Sequence, residues 1–94
     1  MVFDKPQTIR RIRLHFEELA NARTQEFVLR SSTDGTQSFR ELVRQQWNFS
    51  PEGATKEVED YDVGLTSVTA LELRIIPDIN GGNAVAALRQ LRLA

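Results

Sequence analysis

Ninety-four residues, 40% of them apolar and 27% charged, describe one domain spanning 1–94 and argue against wholesale disorder. A net charge of −1 gives no long-range pull toward nucleic acid or an anionic membrane, and the absence of cysteine excludes disulfides and thiolate metal sites. His15 is the single histidine, so a multi-histidine metal centre is excluded as well, and nothing in the chain calls for a cofactor.

No apolar run approaches the roughly 20 residues that a membrane helix needs. The opening Met1-Val2-Phe3-Asp4-Lys5-Pro6 lacks the basic-then-apolar pattern of a secretory leader. The chain is either intracellular or a piece of a longer secreted protein, and its compartment stays open.

The first predicted element covers residues 8–16. Ile12, Leu14 and Phe16 share one face, while Arg11, Arg13 and His15 share the other. That period of two marks a half-buried strand. Residues 17–24, with Asn21 and Ala22, read as a loop. Residues 25–32 place Phe27 and Leu29 on one face and Val28 and Arg30 opposite. Asp34-Gly35 is a turn signal, because glycine adopts positive φ without steric cost.

Residues 38–49 admit two readings. Period two groups Phe39, Val43, Trp47 and Phe49 on a face shared with Glu41 and Gln45; period 3.6 groups Phe39, Leu42, Val43 and Trp47 behind a Ser38 cap, with Glu41 three residues on. Local rules favour the helix. Ser50-Pro51-Glu52-Gly53 then breaks the chain. Residues 57–65 alternate again, with Tyr61, Val63 and Leu65 on one face and Gly64 weakening the end. Residues 68–77 form the clearest strand, with Leu71, Leu73 and Ile75 inward, and Pro77 stops it. Residues 78–83 contain Gly81-Gly82 and read as a loop. Residues 84–93 suit either a short helix or a strand.

Ile9-Arg10-Arg11-Ile12-Arg13-Leu14, Glu26-Phe27-Val28-Leu29-Arg30-Ser31-Ser32-Thr33-Asp34-Gly35, Ala70-Leu71-Glu72-Leu73-Arg74-Ile75 and Ala86-Ala87-Leu88-Arg89-Gln90-Leu91-Arg92-Leu93 together resemble a discoidin domain. This is the coagulation factor 5/8 type C, galactose-binding-like family, and the resemblance covers residues 8–93. It implies an all-β fold, an antiparallel jelly-roll-like β-sandwich of about six strands, with 38–48 and 84–93 extended. The family's first strands have no counterpart before residue 8, so strand edges are expected to need cover. A second copy joined through those edges, or a missing upstream segment, would supply it.

The resemblance also implies that binding loops gather at the end away from the termini. In the expected topology, loops 17–24, 49–56 and 78–83 lie at that end, opposite turns at 33–37 and 64–69. That assigns ligand binding to Asn21, Arg23, Trp47, Asn48, Phe49 and Asn80. Aromatic faces stack on the C–H side of a sugar ring while Arg and Asn bond its hydroxyls. The same set suits a protein partner; the competing reading makes Trp47 and Phe49 core residues. Arg10, Arg11, Arg13, Arg30 and Arg44 form either an anion-binding stripe or cross-strand pairs with Glu26, Glu57, Glu59 and Glu72. Glu57, Glu59, Asp60 and Asp62 read as a solvated acidic face rather than acid/base machinery. Asn48-Phe49-Ser50 fits the N-glycosylation pattern.

The function expected is a non-catalytic recognition module for carbohydrate or another surface ligand. One alternative comes from another class. A helix at 38–48 followed by Gly81-Gly82 is similar to a ubiquitin-like β-grasp sulfur carrier, which would need processing to expose its terminal glycine. Helix or strand at 38–48 separates the two.

Overall fold

A computed structural model describes residues 1–19, 21–81 and 85–94. Five strands account for the regular structure: β1 (Val2–Glu17), β2 (Arg23–Ser32), β3 (Arg40–Phe49), β4 (Lys56–Ile76) and β5 (Leu88–Leu93). All neighbours are antiparallel in one sheet of order β3-β2-β4-β1-β5. No helix occurs among the described residues.

The alternations read from the sequence carry over into the pairing. Ile12, Leu14 and Phe16 on β1 are fully buried, as are Phe27 and Leu29 on β2. Residues 40–49 are extended and pair along β2, from Arg23 opposite Phe49 to Ser31 opposite Arg40. The local helix preference yields because β2 offers a full ladder of partners and an apolar face for Val43 and Trp47. The β-grasp alternative required a helix there and falls with it; of its Gly81-Gly82 pair, Gly82 lies outside the described residues. Residues 88–93 are likewise extended, and the beginning of the expected 84–93 element lies partly outside the described residues.

Two expectations need correction. The two-sheet sandwich of about six strands is replaced by five strands in one continuous sheet. The turn expected at 64–69 is interior to a single 21-residue strand, β4. β1 also starts earlier than residue 8, and it tolerates Pro6 because its ladder is irregular between Val2 and Gln7.

The single sheet nevertheless encloses a core, because β4 doubles back. Phe16 pairs with the neighbourhood of Glu57, and Phe27 pairs with Ile75. Eighteen extended residues span roughly 60 Å, whereas the whole molecule is 42 Å long. Yet the Phe16 and Phe27 rings stack with centroids 5.6 Å apart. The two ends of β4 therefore face each other, and β1 and β2 ride with them. Gly64 at φ 56° and Ser67 at φ 55° sit at the bend; Ser67 is the place where a non-glycine residue accepts the left-handed conformation. Tyr61 meets Phe27 edge-on at 6.4 Å, completing an aromatic trio between the halves.

Candidate functional site

The three expected binding loops do converge. The Glu18 amide donates to the Thr55 carbonyl (2.7 Å) and the Ile79 amide donates to the Thr24 carbonyl (2.9 Å), which ties the segments after β1, before β4 and after β4 to one end. Arg23 is the centrepiece. Its Nε donates to Glu18 Oε1 at 2.7 Å, and its Nη1 donates to Gln25 Oε1 at 2.8 Å and to the Pro77 carbonyl at 2.7 Å. Its guanidinium lies 4.5 Å above the Phe49 ring.

These contacts revise the roles assigned to Arg23 and Phe49. The Arg23 side chain is only 1% exposed and Phe49 only 2%. Neither offers surface to a ligand; they bind the loops to one another from beneath. Phe49 is at the end of β3, where its register with Arg23 turns it inward.

The remaining candidates divide between two faces. Trp47 is opposite Gln25 on the inner face, half-buried against the core, with an indole Nε1 that has no hydrogen-bond partner. Asn48 is opposite Thr24 on the outer face, exposed, and its Oδ1 accepts from Thr24 Oγ1 at 2.6 Å. Asn80 is exposed in the turn that follows Pro77, its amide donating to Asp78 Oδ1 at 3.0 Å. Asn21 is exposed on the loop between β1 and β2, its amide donating to Glu18 Oε2 at 3.3 Å. Thr24 thus connects Asn48 to the 77–81 turn, and Arg23 connects that turn to the Asn21 loop.

A second group at this end joins Gln25, not singled out by sequence, to Glu57, expected on a solvated face. Gln25 and Glu57 are fully buried polar residues. Gln25 Nε2 donates to Glu57 Oε1 at 3.3 Å, while Glu57 Oε2 has no hydrogen-bond partner. Burial pushes the Glu57 carboxyl up from 4.5 to about 7, with the neighbouring Glu59 adding to the rise and Gln25 and Arg23 opposing it. Burial, followed by the Glu59 and Glu57 charges, also raises the Tyr61 phenol, whose hydroxyl lacks a partner. The acidic run is therefore not one solvated face: Glu57 is buried inside, whereas Asp60 faces outward and pairs with Arg11. A signal existed in the sequence. Gln25 is in phase with Phe27 and Leu29, and Glu57 is in phase with Tyr61 and Val63.

The basic stripe also divides. Arg30 pairs with Glu72, Arg44 with Glu26 and Glu41, and Arg11 with Asp60. These are the cross-strand and local pairs that strand sequences of alternating charge produce. A groove of about 410 Å³ runs over this outer face between Glu26, Val28, Arg30, Arg44, Arg74 and Ile76. His15 faces outward in register with Val58 and Gln90. Among the described residues, no cluster of acidic, histidine or cysteine side chains has metal-binding geometry, and no helix is long and apolar enough to cross a membrane.

Compared with known proteins, the chain matches no family model, no curated protein and no solved structure.

Proposed function

We propose that this chain is a non-catalytic recognition module and that the ligand it meets at the loop-bearing end is a glycan. The observation that carries the reading is the tie between Thr24, Asn48 and the 77–81 turn, beside the Arg23-anchored loop of Asn21. Exposed amides from three separate segments stand on a base made rigid by a buried arginine. Amide groups donate and accept, which suits the hydroxyls of a sugar. Pre-ordered loops also reduce the entropic cost of holding a ligand.

In this reading Asn21, Asn48 and Asn80 make the polar contacts, and Trp47 supplies aromatic surface from the inner side of the edge strand β3. Arg23 and Phe49 position them. The discoidin resemblance of the β2 hairpin and of the last strands supports the same class.

A glycan array followed by titration of the best binder tests the proposal. Asn48→Ala combined with Asn80→Ala is expected to weaken binding about tenfold or more, since each lost hydrogen bond contributes about 1 kcal/mol. An array without a binder rejects the glycan. A binder unaffected by both that pair and Trp47→Ala rejects the site.

A further inference from the structure

The outer face of β1 and β5 carries positive charge that the fold does not neutralise. Arg13 is directly opposite Arg92 in the β1–β5 register, and like charges so placed repel. On its other side Arg13 is in register with Asp60. That carboxylate is already engaged by Arg11, whose Nε donates to Asp60 Oδ1 at 2.6 Å. Arg13 and Arg92 are both exposed, and among the described residues neither makes an ion pair or side-chain hydrogen bond. Arg30, Arg44, Arg74 and Arg89 are all paired, while among the described residues the exposed Arg10 and Arg40 are unpaired too but do not face another arginine across a strand pair.

The three guanidinium-bearing positions line a shallow cavity of about 220 Å³ with Leu93 and Ala94. Opposite residues on paired strands have Cβ atoms about 5 Å apart, and Arg11 is two residues along the strand from Arg13, roughly 7 Å. Long side chains rooted on a triangle of that size can close on one tetrahedral oxyanion, and the planar guanidinium fork matches its oxygens. Asp62, opposite Arg11 in the register, is another carboxylate beside the patch, and Asp60 acts on Arg13 through space; Arg92 has only Arg13 opposite it.

We propose that Arg13 and Arg92, with Arg11 at the rim, clamp a tetrahedral oxyanion ester, and that its source is a sulfate group on a glycan. An anion between the two facing guanidiniums converts their repulsion into shared attraction. A sulfate or phosphate ester would supply the same chemistry. The chain's net charge of −1 gives no general attraction to an anionic bilayer, which favours recognition of a single group over adsorption to a surface. The clamp stands on the patch alone; the glycan as its source rests on the function proposed above.

The test uses inorganic sulfate, a heparin-derived oligosaccharide, its desulfated counterpart and phosphatidylserine vesicles, with the full chain and its R13Q/R92Q variant. Sulfate should move the Arg13 and Arg92 Nε–Hε resonances. The sulfated oligosaccharide should bind, and R13Q/R92Q should weaken it about tenfold or more, the loss expected for two charge-assisted contacts. Asn48→Ala should leave the sulfate-induced shifts intact. The variant should unfold at no lower urea concentration, because it removes a repulsion at the surface. Unmoved arginine resonances, or equal binding by chain and variant, would overturn the clamp. Equal binding of the desulfated sugar, or binding to vesicles without binding to the oligosaccharide, overturns the glycan source. Failure of the uncharged-glycan array alone would reject the loop site and leave the clamp in place.

Discussion

Replacing Glu57 by glutamine should abolish the pH dependence that this carboxyl imposes on stability. Glu57 is fully buried, and its pKa is raised from 4.5 to about 7, chiefly by burial. Below pH 4.5 the group is protonated in both folded and unfolded chains and costs nothing. Between 4.5 and 7 the folded chain keeps a proton that the unfolded chain releases, so stability falls as pH rises. Above 7 the fold must hold a buried anion, and the full loss is about 3 kcal/mol, the difference in pKa multiplied by 1.36. The amide carries no charge at any pH and is close to the same size. Glu57→Gln should therefore lie within about 1 kcal/mol of the parent near pH 4 and exceed it by about 2–3 kcal/mol near pH 8. Urea unfolding followed by Trp47 fluorescence at both pH values gives the difference directly. Titrating groups remote from Glu57 cancel between the two proteins, whereas Glu59, which adds to the Glu57 rise, is itself relieved by the substitution. A difference that stays constant across this range, or one favouring the parent as pH rises, refutes the reasoning.

Phe27→Ala removes the ring shared by Phe16 and Tyr61 and should cost about 3–5 kcal/mol in urea unfolding; a loss under about 1 kcal/mol would mean that the facing halves do not depend on that stack. Arg23→Ala should cost about as much, because it deprives a 2.7 Å buried ion pair of its cation. Arg23→Lys should not restore stability, since one ammonium cannot reproduce the fork that reaches Glu18, Gln25 and Pro77. Gly35→Ala meets no neighbouring atom but must take φ near +81°, so a loss of about 1 kcal/mol is expected from backbone alone. In an NMR titration the Asp34 carboxyl should have its midpoint near 2, held down first by the Ser32 hydroxyl and then by Ser38, and a midpoint near 3.8 would show that this turn is not formed.

The strands were legible where one face is apolar and the other polar over several residues. Ile12, Leu14 and Phe16 display this, as do Phe27 and Leu29, and all five are buried as expected. Residues 40–49 were not legible from local sequence, because their apolar residues satisfy both periods and the choice belongs to β2, a partner that no local window contains. The bend in β4 was mistaken for a turn between two strands: Gly64 is a true conformational break, but the pairing with β1 and then β2 continues on either side of it. At the candidate site, Asn48 and Asn80 were legible as exposed polar residues. Arg23 was misjudged because arginine is seldom buried; what encloses it here is the meeting of Glu18, Phe49 and Pro77 from three segments distant in sequence.

The strand order constrains how the chain can assemble. Among the described strands, β2 and β3 are the sole pair adjacent both in sequence and in the sheet. β1 leaves the ribosome first, yet its neighbours are β4 and β5, so Arg11 waits for a partner 49 residues away. Its apolar edge stays unmatched through most of synthesis, while a β2–β3 hairpin can already form. High separation between pairing segments slows folding toward milliseconds to seconds. The arrival of β4 closes both halves in one event, and a chain interrupted upstream of that strand would carry β1 as an unsatisfied, aggregation-prone ribbon.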